Sequence, residues 1–138
     1  MISNGKFYES QFEEATIELL REAHWQYAFG DDIHRKYTDP LIEEDLRNFL
    51  AVQYKDKNLT TSEMDSIVAN LRNTGGQNDY YALRNTFLLY RDGYDFAYSD
   101  GRSNPFRLEY IDFEHPDHNI FRCVNQFVME QGRENRRP

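Results

Sequence analysis

His115, Asp117 and His118 fall in one short stretch, and a His-x-x-His spacing with a carboxylate beside it is a donor set that zinc accepts. The competing reading is an ordinary turn, because Pro116, Asp117 and Asn119 are turn formers and histidine is common in such loops without metal. Glu9 and Glu13 stand four apart, so on a helix both carboxylates project from one face and could help hold a hard divalent cation. Ser10-Gln11-Phe12-Glu13 is equally a capping-box pattern, in which Glu13 reaches back to a backbone amide. Arg133, Arg136 and Arg137 could grip phosphate through bidentate guanidinium geometry, or could simply be solvated. Cys123 lies inside an apolar run and reads as a small core residue.

Other chemistries are excluded by what the sequence lacks. It has no G-x-x-x-x-G-K-[ST] phosphate loop, no G-x-G-x-x-G, no G-x-S-x-G and no C-x-x-C, and Gly5-Lys6 is followed by Phe7. No recognisable device for gripping a nucleotide remains.

Helices and strands must position these groups. Phe12, Ala15, Leu19, Leu20 and Ala23 recur at helical spacing among Glu and Arg, which predicts an amphipathic helix from Ser10 to Ala23. Trp25, Tyr27 and Phe29 alternate as a short strand would, ending in the turn Gly30-Asp31-Asp32. Thr38-Asp39-Pro40 is read as the start of a second helix, with Asp as cap, Pro at the first position, and Ile42, Leu46, Phe49 and Leu50 buried. A third helix begins at Thr60, where Glu63 completes a capping box and Leu59 can staple to Met64; Ile67, Val68 and Leu71 continue its stripe to Thr74-Gly75-Gly76. Tyr80 to Tyr90 is expected to form a fourth, with Leu83, Phe87 and Leu88 facing inward. Thereafter Tyr94 to Tyr98, Phe106 to Phe113 and Ile120 to Glu130 read as strands, the first two joined through the turn signal Ser99-Asp100-Gly101. Glu114 to Asn119 is a loop, and the polar tail from Gln131 is expected to be disordered on its own.

The fold class is therefore α+β, with a first helix and short strand (1–30), a helical block (31–92), strands (93–130) and a tail (131–138) in a single partial domain. Its 138 residues, 39% hydrophobic and 15% aromatic, allow one modest core. Sixteen basic against 24 acidic side chains give a formal charge of -8, which argues against binding nucleic acid through a uniformly basic surface. The lone cysteine, the absence of an apolar signal-peptide core, and the lack of a run of roughly twenty apolar residues point to a cytoplasmic setting.

The run Tyr110-Ile111-Asp112-Phe113-Glu114-His115-Pro116-Asp117-His118-Asn119, then Phe121 and Val124-Asn125-Gln126-Phe127, resembles the N-terminal domain of type I restriction enzyme R subunits, whose pattern there is close to L-I-D-F-x-x-P-x-x-N-x-F-x-x-x-N-Q-F. Glu9-Ser10-Gln11-Phe12-Glu13, the segment Trp25 to Tyr27, the helical middle and Asn85 to Gly93 extend the resemblance over nearly the whole chain. The resemblance implies part of a PD-(D/E)xK nuclease, here an incomplete core with a partial mixed sheet, whose acidic residues bind magnesium for phosphodiester hydrolysis. In that family the catalytic Asp directly follows the Arg-Arg-Pro matched by Arg136-Arg137-Pro138, and a Glu-x-Lys comes a strand later. The sequence stops at Pro138, so of the family's site only the first-helix carboxylate carries over, onto Glu13, and this chain alone is expected to bind no metal tightly and to cut nothing. The resemblance further implies DNA contact through a complete subunit, an ATP-driven motor, and modification and specificity subunits as partners in cleaving unmodified foreign DNA. Missing strands would also leave the edge at Ile120 to Glu130 open to self-association. The alternative is a non-catalytic module that docks on a restriction or nuclease complex.

Overall fold

The computed structural model describes residues 9–73, 79–131 and 134–136. Two compact units divide the chain: residues 1–42 with 120–138, and Glu43–Asn119 inserted between them. The architecture is α+β, as expected, with the order α1 (Glu9–Glu22), β1 (Gln26–Phe29), α2 (Glu43–Gln53), α3 (Thr61–Arg72), α4 (Asp79–Asp92), β2 (Tyr94–Phe96), β3 (Phe106–Leu108), β4 (Arg122–Asn125), β5 (Met129–Gln131) and β6 (Glu134–Arg136). In place of one partial mixed sheet, the described strands form three separate pairs, β1 with β4, β2 with β3 and β5 with β6.

In the first unit α1 ends because His24 turns left-handed (φ 69°), letting Trp25 N–H reach Leu20 O at 2.9 Å and His24 N–H reach Arg21 O at 3.0 Å. These bonds satisfy carbonyls that the last turn would otherwise orphan. The chain leaves this cap directly into β1, which pairs in parallel with β4 from Gln26↔Arg122 to Phe29↔Asn125. Just before the pair, Trp25 packs on Phe121 with ring centroids 5.1 Å apart. Gly30 follows β1, and it must be glycine: a Cβ there would lie 2.0 Å from Gln126 O. Arg35 pins the following loop, since its guanidinium lies 3.6 Å from the Phe127 ring centroid and donates to Val128 O and Asp39 O. Asp39 does not cap α2. Its Oδ1 instead accepts from Leu41 N–H at 3.0 Å in a turn, and the helix starts at Glu43.

The second unit holds most of the described core: Phe49 and Leu50 from α2, Ile67, Val68 and Leu71 from α3, and Phe96, Tyr98, Leu108 and Tyr110 from the hairpin region. Leu50, Ile67 and Leu108 are wholly buried, each contributing about 1.5–3 kcal/mol relative to exposure. The capping box at Thr60 forms in both directions, with Glu63 N–H donating to Thr60 Oγ1 (3.1 Å) and Thr60 N–H to Glu63 Oε1 (2.9 Å). Glu63 also ties α3 to the turn after β2: Ser99 N–H and both Arg102 terminal nitrogens donate to its carboxylate, the shortest at 2.6 Å. Those partners, Arg102 foremost, hold its pKa well below the ordinary carboxylate range.

Several expected elements change. Residues 74–76, read as the end of the third helix, lie outside the described residues. Along α4 the expected inward face is turned out, with Leu83 73% and Phe87 59% exposed; Leu88 is half-buried. Phe12 and Leu19 on α1 are likewise exposed. β3 ends at Leu108: Glu109 N–H donates to Tyr54 Oη at 2.7 Å, and from Asp112 onward the amides bond within their own loop. The single strand expected from Ile120 to Glu130 is split where Gln126 turns left-handed (φ 55°). The tail is not wholly irregular, since β6 pairs antiparallel with β5 from Met129↔Arg136 to Gln131↔Glu134. No helix among the described residues is long and apolar enough to cross a membrane.

Candidate functional site

In the first unit a cleft of about 380 Å³ opens between α1 and β4, lined among others by Glu9, Glu13, Thr16, Cys123, Asn125 and Gln126. The helical repeat brings both carboxylates to one face, as their spacing requires. Ser10 lies within α1 and not ahead of it, so the capping-box reading of Glu13 gives way: Glu13 Oε1 instead accepts from Gln126 Nε2 at 3.4 Å. Two features aim Gln126 here, its own left-handed backbone and the missing Cβ of Gly30 behind its carbonyl. Asn125 is fixed beside it by Tyr27 Oη, which donates to Asn125 Oδ1 at 2.7 Å. Cys123 is buried, as expected of a core thiol, with Sγ 3.4 Å from Gln26 O. Gln126 thus approaches the first-helix carboxylate, a placement that no local periodicity in the sequence announces.

In the second unit the loop from Asp112 to Asn119 gathers around one buried carboxylate. Asp112 Oδ1 accepts from the amides of Glu114 (3.1 Å) and His115 (2.9 Å), and Oδ2 accepts from Gln53 Nε2 (2.8 Å) and meets His118 Nδ1 (3.0 Å). These partners, the His115 amide first, lower the Asp112 pKa to about 2. Asn119 closes the loop, accepting from Asp112 N–H at 2.9 Å and donating to Asp112 O and Pro116 O. Pro116 opens a turn of 3₁₀ helix, Pro116–His118, where its fixed φ suits the first position. The carboxylate near the two histidines is therefore Asp112; Asp117 is exposed. Asp112, His115 and His118 are a set of potential metal donors that lie within reach of one another among the described residues. A sequence signal for Asp112 did exist, since an Asp followed two and three residues later by free amides is a turn anchor.

Of the three arginines, Arg136 belongs to β6, while Arg133 and Arg137 lie outside the described residues.

Residues 6–138 match the family model described as type I restriction enzyme R protein N terminus. A curated relative, the type I restriction enzyme HindI endonuclease subunit of Haemophilus influenzae, is 27% identical over 139 aligned positions, covering 94% of this chain and 13% of the relative. The chain thus spans about an eighth of the length of the relative it matches. No solved structure matches it.

Proposed function

The chain belongs to the family of type I restriction enzyme R protein N termini, and we propose that it supplies one wall of that subunit's magnesium-dependent nuclease site. The observation that carries this reading is the cleft in which Glu13, the family's first-helix carboxylate, is met by Gln126 of the Asn-Gln-Phe motif. Hard carboxylate oxygens suit magnesium, which keeps several waters and takes few protein ligands, so Glu13 and the neighbouring Glu9 are fitting donors. When bound, the ion would stabilise charge on a scissile phosphate and activate water. This chain's own part is narrower: Glu13 provides an oxygen, Gln126 orients it, and Asn125, Tyr27 and Gly30 hold Gln126 in place.

Two carboxylates one turn apart on a single helix cannot surround an ion, so by itself the chain is proposed to be inactive and to bind magnesium weakly. The β1–β4 pair supports the same view. Parallel strands are stable when both faces are covered, and a two-stranded sheet is marginal alone, so we read this pair as the nucleus of a larger restriction-endonuclease-like sheet. DNA contact through Arg133, Arg136 and Arg137, ATP-driven translocation by the rest of the subunit, association with modification and specificity subunits, and a cytoplasmic role in cutting foreign DNA complete the proposal.

The test is Glu13→Gln in a complete R subunit carrying this segment, assembled with its partners. Plasmid cleavage should fall by at least about 100-fold with ATP hydrolysis retained, as expected when a group stabilising the transition state is lost. Undiminished cleavage would remove Glu13 from the site.

A second reading, a non-catalytic docking module, is favoured by the exposed Tyr80, Leu83 and Phe87 of α4. Leu83→Asp with Phe87→Asp would then abolish assembly of the complex, whereas the nuclease reading leaves assembly intact.

A further inference from the structure

We propose that Asp112, His115 and His118 form a binding site for a divalent transition metal of the zinc type, open on its solvent side. The site lies in the second unit and shares no residue with the Glu13 cleft. Its donor atoms are already grouped: Asp112 Oδ2 is 3.0 Å from His118 Nδ1 and 3.7 Å from His115 Nδ1, and all three lie within 4.8 Å of one another. Ligands about 2.0–2.1 Å from a tetrahedral zinc are separated by roughly 3.3–3.4 Å, so the two separations bracket that edge.

Hydrogen bonding alone does not account for this arrangement. One imidazole nitrogen lies within hydrogen-bond distance of Asp112 Oδ2 at 3.0 Å, but the second, at 3.7 Å, is too far for a hydrogen bond and still turns the same nitrogen towards the same oxygen. The two rings are stacked, with centroids 4.9 Å apart and planes inclined by 18°. His115 stands just ahead of the 3₁₀ turn, and His118 N–H returns to His115 O at 2.9 Å, which brings the two residues close enough for their rings to stack. A cation between the Nδ1 atoms and Oδ2 would give both rings a reason for their orientation.

The surroundings are those of a prepared site. Asp112 is held by two amides on one oxygen and by Gln53 on the other, and Asn119 and Pro116 fix the loop that carries the histidines. Such outer contacts orient ligands and sharpen affinity. Imidazole with a single carboxylate selects zinc, cobalt or nickel over magnesium or calcium. The side chains of His115 and His118 are 61% and 48% exposed, so the fourth position faces water. Binding would lock the 112–118 turn and stabilise the native state by mass action.

The experiment is zinc titration of the untagged chain by calorimetry, with His115→Ala and His118→Ala alongside. One saturable equivalent is expected for the wild type. Each variant should lose more than the about 10- to 100-fold that removal of an outer partner costs. Because both histidines are exposed, the variants should keep the native circular dichroism. As a measurement independent of the variants, zinc should protect His115 and His118 of the wild type from acylation by diethylpyrocarbonate. Absence of saturable binding, equal binding by wild type and variants, or unprotected histidines would each overturn the site.

Discussion

Glu63 and Asp112 in the second unit and Glu13 in the first are treated in opposite ways. In the second, Glu63 and Asp112 are buried and each oxygen is met by several donors: the Thr60 and Ser99 amides and Arg102 in one case, loop amides, Gln53 and His118 in the other. In the first, Glu13 stands at the wall of a cleft, with a 3.4 Å approach from Gln126. A carboxylate whose oxygens are each held by several donors of the fold works as an anchor, and at Asp112 the zinc-type site proposed above would add a cation to an oxygen that Gln53 already positions. A carboxylate presented to a cleft can accept an incoming group at little cost to the fold. The same residue type therefore builds the second unit and equips the first.

That contrast can be broken or sharpened by substitution. Leu50→Ala, at a wholly buried position of α2, should cost the most, about 2–5 kcal/mol, read by urea denaturation. Gly30→Ala should follow at about 1–3 kcal/mol, because its Cβ must push the Gln126 carbonyl aside. Beyond the stability loss it should mimic the cleavage defect of Glu13→Gln in the complete subunit; stability loss without that defect would uncouple Gly30 from the cleft.

Acid separates the units next. Glu63 and Asp112 have folded-state pKa values below their ordinary 4.5 and 3.8, so their contribution is fully present above those values and is lost as pH falls through the folded values. As pH falls from about 3.8 to 2, amide signals of the 112–119 loop should lose their native positions, and those of α3 and of the 98–102 turn should follow at still lower pH, tracked by NMR. The sole tryptophan, Trp25, reports on the first unit through its fluorescence and should not change first. If it does, the anchors have been misassigned. Glu13→Gln should be the mildest, within about 0.5 kcal/mol of wild type in the same denaturation.

Local signals in the sequence were reliable where the deciding contacts are local. Thr60 and Glu63 form their capping box because every partner lies within three residues, and the turn at Gly101 (φ 68°) follows from a glycine that tolerates that backbone. The amphipathic spacing of α4 misleads for the opposite reason: periodicity states that Leu83 and Phe87 share a face, not that something covers it. Tyr110 to Phe113 has the composition of a strand, but Asp112 offers its neighbours' amides a nearer acceptor than a ladder would. The candidate site was legible only in halves. Glu13 and the Asn-Gln-Phe motif were both visible, one by spacing and one by resemblance, yet their meeting depends on a strand pairing that crosses the whole second unit.

That pairing also sets an order of events in folding. Gln26 must find Arg122, while the contacts that define the second unit begin at Glu43 and end at Asn119. On a chain made from its N-terminus, the inserted unit is complete before β4 exists, and β1 waits unpaired until then. Slowing synthesis after Asn119 should therefore leave a folded middle and an unassembled cleft, so the wall that carries Glu13 meets its Gln126 last.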